Sequence, residues 1–238
     1  MKKAFALLLL GATTGLAFVS GCGPNEDAYK PLPAFSGSHK ATLPPVPTLP
    51  STPIKQGDAY TVYGAVHHLN SSIHGVDVTS KEITIVGWIV DSNMQTVDKC
   101  AIHPTGKKDP DGCVTPIPSF SLGDTKEAKG DAKLPKIRVL GWASNFANVF
   151  DAVEKFKNLK APPTEKEKVT DELWAVDIPF PLPAVGAKVK VTGKYGVNFG
   201  KSSAGIESDP MNGIMTYTKI EVVEPAPELA SFPQIKKP

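Results

Sequence analysis

The chain has 238 residues, of which 41% are hydrophobic and 21% are charged, so it is long enough for one or two globular domains. Its 26 basic and 24 acidic residues almost cancel, which argues against a general nucleic-acid-binding protein, because such proteins carry a strong excess of positive charge. Composition and charge set these limits, but they do not indicate what the protein binds.

The first 21 residues have the features of a bacterial export signal. Two lysines precede an uncharged apolar run, residues 4–19, which is too short to predict a membrane-spanning helix. The run ends in Val19-Ser20-Gly21-Cys22, which resembles the lipobox of bacterial lipoproteins. The alternative is an ordinary secretory signal in which the cysteine is incidental.

The resemblance to lipoproteins implies that the signal peptide, residues 1–21, is removed and that Cys22 becomes a lipid-bearing N-terminus. Several acyl chains such as palmitate hold a protein firmly to a membrane, whereas a single chain does not. Gly23 follows in place of aspartate, which by the lipoprotein sorting rule implies the outer membrane. Removal of the two leader lysines leaves 24 basic against 24 acidic residues. We therefore expect a nearly neutral protein anchored in the cell envelope, facing the periplasm or the exterior.

Residues 22–57 are predicted to be a flexible tether. They contain eight prolines separated mostly by small and polar residues, so they favour extended geometry and cannot bury a core. At roughly 3 Å per residue, the tether could hold a domain up to about 100 Å from the membrane. The alternative is a proline-rich docking sequence for a partner groove.

The first half of the predicted domain, residues 58–223, contains three strand patterns after a leading segment that could be a further strand. Residues 59–69 form the leading segment, and residues 82–91 are β-branched and apolar on both faces. A loop rich in Gly, Pro, Asp and Lys spans residues 92–118. Residues 120–123 and residues 136–142 are the next two strands.

Residues 144–159, SNFANVFDAVEKFKNL, predict the main amphipathic helix. Aromatic and aliphatic residues recur at three- and four-residue steps along one face. Ser144 or Asn145 can cap the first turn, lysines follow at the other end, and Pro162 and Pro163 stop the helix. We interpret its apolar face as a core contact rather than as a ligand site.

After the helix, alternation of apolar and polar residues predicts two paired strands. Residues 173–179 form a short extended segment, residues 187–197 alternate with one wet face, and residues 213–223 form the last strand. Residues 224–238 are a proline-rich tail. The predicted order is three strands, a helix and two strands.

This order resembles the OB-fold, a five-stranded Greek-key β-barrel with a helix between its third and fourth strands. The resemblance covers about residues 81–223 and rests on the order of elements, not on a residue motif. It implies a mainly β domain that binds oligosaccharides or single strands on the face of its second and third strands. A β-sandwich is the alternative fold.

The long loop contains the two cysteines that remain beside Cys22. In an oxidising envelope, Cys100 and Cys113 would form a disulfide worth roughly 3 kcal/mol by the chain-entropy relation. A metal site that also uses His103 is the alternative, but zinc sites usually have closer cysteine pairs.

Histidines cluster in the leading segment, with Asp77 nearby. Neutral imidazoles bind zinc, copper or nickel, which makes His67 and His74 weak candidates for metal ligands. If the segment is a strand, the adjacent His67 and His68 face opposite ways, so only one of them can join His74. Surface histidines without a metal are the favoured interpretation.

Aromatic and basic residues mark a candidate ligand face. Trp88 and Trp142 could form a platform for sugars or bases, as could Trp174, Tyr195 and Tyr217. We favour the interpretation that these rings pack the barrel and its helix, because aromatic residues dominate the cores of small barrels. A second set lies on the wet side of one predicted strand: Lys188, Lys190 and Lys194.

We find no nucleophile elbow, zinc-protease motif, phosphate loop or dinucleotide fingerprint, so we expect no enzyme and no cofactor. The anchor, tether and barrel together predict a non-catalytic docking module at the envelope. Its partner would be a protein or a cell-wall glycan, and not a nucleic acid. The alternatives are an assembly subunit of an outer-membrane complex and, less favoured, a metal-handling protein.

Overall fold

Nine β-strands and three α-helices make up the described part of the chain in a computed structural model, which covers residues 52–97, 111–112, 116–201 and 207–230. All of these residues belong to one unit, Leu49–Pro238. The protein is mainly β, and its largest feature is a seven-stranded sheet. The signal peptide, Cys22, Cys100 and Cys113 lie outside the described residues, so the expected lipidation and disulfide stay predictions.

The elements follow one another in a simple order. The first half of the chain contains β1 (Lys55–Gln56), β2 (Ala59–Thr61), α1 (Val62–Leu69), α2 (Gly75–Thr79), β3 (Glu82–Ser92), β4 (Phe120–Gly123) and β5 (Ile137–Leu140). The second half contains α3 (Phe146–Phe156), β6 (Thr170–Asp171), β7 (Val176–Asp177), β8 (Lys188–Gly196) and β9 (Ile214–Glu224). The β6 and β7 strands form a separate two-stranded sheet.

Five of the strands pair in a closed ring. The sheet has the order β1-β2-β3-β4-β5-β9-β8, and β8 pairs in addition with β3. The β5–β9 and β2–β3 pairs are parallel, while the other pairs of this sheet are antiparallel. The ring therefore runs β3-β4-β5-β9-β8 and back to β3, and α3 lies in the chain between β5 and β8.

The five ring strands coincide with the five strands that the periodicity predicts, each within a few residues. The predicted helix is also confirmed, although it is shorter than residues 144–159. Asn145 caps it by accepting a hydrogen bond from the Asn148 backbone N–H at 2.9 Å. Four shorter strands were not predicted as separate elements, and β1 lies inside the stretch that the sequence assigns to the tether.

The prediction of a leading strand over residues 59–69 is wrong beyond Thr61, where the chain turns into α1. The Thr61 hydroxyl accepts a hydrogen bond from the Gly64 backbone N–H at 2.9 Å. The Asp124 carboxylate accepts the N–H groups of Val62 and Tyr63 at 2.8 and 2.7 Å. These acceptors satisfy donors that a helix start leaves unpaired, so capping overrides the strand propensity of valine and tyrosine.

The core fills the ring and the space under α3. Its largest fully buried side chains come from ring strands, from α3 and from the segment between β5 and α3, and they include Trp142, Phe120, Phe146, Ile85, Ile89 and Leu122. Helix α3 buries the apolar face that its periodicity predicts. Among the described residues, no helix has the length and apolarity that crossing a membrane would require.

Candidate functional site

The register of β3 and β8 gathers most of the predicted ligand residues on one outer surface. Trp88 lies opposite Lys188, and Glu82 lies opposite Lys194 at the other end of the pair. Because side chains alternate along a strand, Lys188, Lys190 and Lys194 point to the same side of β8. We call the surface formed by Trp88, Lys126, Lys188, Lys190 and Lys194 the lysine face.

The burial pattern confirms which side of β8 is wet. Val189, Val191 and Tyr195 are at most 2% exposed, while the alternating lysines are partly or fully exposed. The inward side chains anchor β8 to the core, so the backbone holds the lysines at fixed spacing along the strand. The lysine face is therefore a product of strand pairing and not of a mobile loop.

Trp88 is partly buried and lies beneath two ammonium groups. The Lys126 Nζ atom is 4.1 Å from the centroid of the indole ring, and the Lys188 Nζ atom is 5.5 Å from it. Each contact of this kind contributes about 0.5–1 kcal/mol at an exposed site. The two contacts orient the lysines at one end of the face.

Acidic groups only partly balance the lysines. The Lys188 ammonium lies 3.7 Å from the Glu224 carboxylate, and the Glu82 carboxylate accepts a hydrogen bond from the Thr218 hydroxyl. Within the described residues, Lys190 and Lys194 form no ion pair. In the strand register Lys190 lies opposite Glu221 and Lys194 lies opposite Glu82, so glutamates stand beside the lysines along the face.

An open groove of about 400 Å³ runs beside Lys190. The turn between β1 and β2 forms one wall, and β3, β8 and β9 form its floor and opposite side. The polar side chains that line it are Gln56, Asp58, Thr84, Thr192, Lys219 and Glu221. The groove gives the lysine face a concave, hydrogen-bonding section.

Trp142, the predicted centre of an aromatic platform, is fully buried and therefore lies outside this surface. It packs against Phe120 at a ring distance of 6.3 Å, and its indole nitrogen has no hydrogen-bond partner among the described residues. Trp174 is partly buried and packs edge-on against Phe199. These two tryptophans serve packing.

The tyrosines of the predicted platform are also buried. Burial raises the pKa of Tyr195, and burial together with the nearby Asp177 raises the pKa of Tyr217 to about 12. The Tyr195 hydroxyl donates to the backbone carbonyl of Asn212. Neither ring is available for stacking on a ligand.

Two buried or partly buried carboxylates, Asp124 and Asp171, accept hydrogen bonds from neighbouring elements around the ring. Burial raises the pKa of Asp124, against the effect of the Val62 and Tyr63 N–H groups that it accepts. Burial also acts to raise the pKa of Asp171, but the hydrogen bonds from Ser144, Asn148 and Trp174 outweigh it and lower that pKa. Both acids hold backbone in place.

The histidine cluster differs from the predicted one in its members. His68, His74 and Asp77 place one ligand atom each within 4.8 Å of one another, whereas His67 points elsewhere and packs near Tyr63. The assumption that His67 and His68 lie on a strand is wrong because both belong to α1. Helical spacing puts His68, at the end of α1, beside the following turn.

Nothing in the sequence indicated that Lys126 belongs to the lysine face, because its position depends on a short 3₁₀ helix, Lys126–Lys129, after β4. The sequence does contain a pattern that indicates the helix α1. Its apolar residues recur at three- and four-residue steps: Val62, Ala65, Val66 and Leu69. That spacing would have indicated His68 rather than His67 as the inward histidine.

The chain matches none of the models of known protein families and none of the curated proteins with which it was compared.

Proposed function

We propose that the protein is a lipid-anchored, non-catalytic docking module of the bacterial envelope, and that its lysine face binds an acidic surface of a partner protein. The observation that carries this proposal is the β3–β8 register, which aligns Trp88 and three lysines on one rigid outer surface. Charge complementarity of this kind directs encounter and fixes the orientation of a complex.

The proposed domain is of the OB type. In support, three ring strands precede α3 in the chain and two follow it, which is the order of elements that the OB resemblance implies. The β1, β2, α1 and α2 elements are additions that precede the ring. The proposed lysine face uses the first and fourth ring strands, and not the second and third strands that the OB resemblance implies.

A protein suits the lysine face better than a glycan does. Sugars stack on an open aromatic ring, but the Lys126 ammonium lies 4.1 Å above Trp88 and occupies that position. Carboxylates of a protein partner can pair instead with Lys190 and Lys194, and complementary charges of this kind direct the encounter of two proteins. A cell-wall glycan is the alternative outcome of the test below.

We base the proposed anchor on Cys22 and the proposed flexible tether on the part of residues 22–57 that precedes β1, and we place the anchor in the outer membrane. We expect Cys22→Ala to move the protein from the membrane fraction to the soluble fraction of cells. Retention of the variant in the membrane fraction would exclude the lipid anchor.

Site-specific photocrosslinking in intact cells tests the docking face. One variant carries a photoreactive residue at Lys219, an exposed position paired with Thr192 beside the groove. A matched control carries it at Glu154, an exposed position on α3. We expect a discrete protein adduct from Lys219 and none from Glu154. Equal adducts from both positions would exclude the lysine face, and retention on purified cell wall without an adduct would favour a glycan.

A further inference from the structure

We propose that His68, His74 and Asp77 form a binding site for a divalent transition-metal ion such as Zn²⁺. The site lies in the α1–α2 hairpin and is independent of the docking face. It would take two imidazole nitrogens and one carboxylate oxygen from the chain, with further positions open to water.

The turn between α1 and α2 brings the three side chains together. The Ser71 hydroxyl accepts the backbone N–H of His74 at 3.2 Å, and the Gly75 N–H donates to the Ser71 carbonyl at 2.9 Å. The Asp77 N–H donates to the His74 carbonyl at 3.0 Å. These backbone hydrogen bonds fix His74 and Asp77 next to the end of α1, where His68 lies.

The distances between the three candidate ligand atoms are near those found between ligands of one metal ion. The His74 Nδ1 atom lies 3.1 Å from the Asp77 Oδ2 atom, and the His68 Nδ1 atom lies 4.0 Å from the same oxygen. With metal–ligand bonds of about 2.0–2.2 Å, two ligand atoms in a tetrahedral zinc site lie roughly 3.3 Å apart. All three ligand atoms lie within 4.8 Å of one another, and the stacked imidazole rings must rotate so that their nitrogens face one ion.

The His68 imidazole distinguishes this cluster from an ordinary ion pair at the surface. Its Nδ1 atom is buried and has no hydrogen-bond partner among the described residues, although it faces Asp77. A buried nitrogen without a partner destabilises the fold, and a metal bond at that atom would remove this cost.

The exposure of the three residues leaves a path for the ion. The His68 side chain is 15% exposed, while those of His74 and Asp77 are about half exposed. His68 is thus held within the fold, whereas His74 and Asp77 face solvent and are accessible to the ion. Two imidazoles with one carboxylate suit zinc, copper or nickel, whereas calcium and magnesium prefer an all-oxygen set.

The adjacent His67 provides a matched control. It is exposed, its ring tilts against Tyr63 at 5.7 Å, and it is not one of the three clustered groups. A His67→Gln variant therefore removes one histidine from the same helix without removing a proposed ligand. Any other metal-binding groups in the chain are the same in every variant.

The test is calorimetric titration of the full-length chain with Zn²⁺, comparing wild type, His68→Gln, Asp77→Asn and His67→Gln. We expect His68→Gln and Asp77→Asn each to weaken one zinc site by about 10-fold or more, since even loss of a partner that only orients a ligand typically costs 10–100-fold. His67→Gln should bind within about twofold of wild type, a difference smaller than the effects typical of such sites.

Thermal unfolding with Zn²⁺ and with a chelator gives a second readout. Zn²⁺ should raise the Tm of wild type and of His67→Gln more than that of Asp77→Asn, a variant at an exposed position that leaves the core intact. If all four proteins bind zinc equally, or if His67→Gln loses as much affinity as His68→Gln, the proposed site is wrong. The docking proposal would be unaffected by either result.

Discussion

Asp171 shows how a single buried carboxylate fixes the segment around α3. The residue is fully buried, and its Oδ2 atom accepts the Ser144 backbone N–H at 2.6 Å and the Asn148 side-chain N–H at 2.9 Å. Its Oδ1 atom accepts the backbone N–H groups of Leu173 and Trp174. The carboxylate thus joins the start of α3 to the β6–β7 hairpin. The sequence alone could not show this, because the partners are up to 27 residues away.

We expect Asp171→Asn to lower the free energy of unfolding by about 3 kcal/mol, because hydrogen bonds to a charged acceptor are strong and a buried donor left unpaired is costly. An asparagine has only one acceptor oxygen, and its NH₂ group would face N–H donors. Urea denaturation at pH 7 measures the change. Asp151→Asn, at an exposed position of α3, is the control and should change stability by no more than about 0.5 kcal/mol.

The difference in stability between wild type and Asp171→Asn should depend on pH. The folded-state pKa of Asp171 is lowered, so its contribution is fully present above the unfolded value near 3.9 and is lost as the pH falls through the folded value. The stability difference between wild type and Asp171→Asn should be the same at pH 7 and pH 5 and should shrink below about pH 4. A difference that stays constant down to pH 2 would contradict this role.

At the scale of the elements, periodicity predicted the strands and the helix that have long patterns. The alternation in β8 and the stripe of α3 extend over several repeats, so they specify both the element and its buried side. In α1, β-branched and aromatic residues concealed a helical pattern that capping by Thr61 and Asp124 stabilises. For the same reason the histidine cluster was predicted with His67 in place of His68, because the choice between them depends on α1 being a helix.

The β8–β9 pair depends on a glycine at a register shift. A Cβ atom added at Gly193 would lie 2.0 Å from the Thr216 carbonyl oxygen, which belongs to the paired backbone. We expect Gly193→Ala to destabilise the protein by about 3 kcal/mol or more, since the strands must separate or shift.

Gly196, at the end of the same strand, is the matched control because nothing lies within 4 Å of an added Cβ atom there. Gly196→Ala should change the free energy of unfolding by about 0.5 kcal/mol or less. Thermal unfolding of the two variants measures the contrast. Equal effects would mean that the close approach at Gly193 does not constrain the strands.

At the scale of the whole molecule, the closed ring aligns the lysine face. The β8 strand pairs with β3 on one side and with β9 on the other, so both edges of the lysine row are held by hydrogen bonds. The sequence predicted the wet side of β8 and the order of the ring strands. Burial of Trp142 agrees with the favoured interpretation that the aromatic rings pack the core. The sequence could not predict that Trp88 lies beneath Lys126, because that contact depends on tertiary packing.

The most direct test of the docking face is the yield of the Lys219 photocrosslink in intact cells after charge reversal. Lys190→Glu combined with Lys194→Glu should reduce the yield of the protein adduct about 10-fold or more, since like charges replace complementary ones across the interface. The control, Lys157→Glu with Lys160→Glu, reverses two exposed lysines near the end of α3 and should leave the yield unchanged. An undiminished adduct in the first variant, or an equal loss in both, would contradict docking through the lysine face.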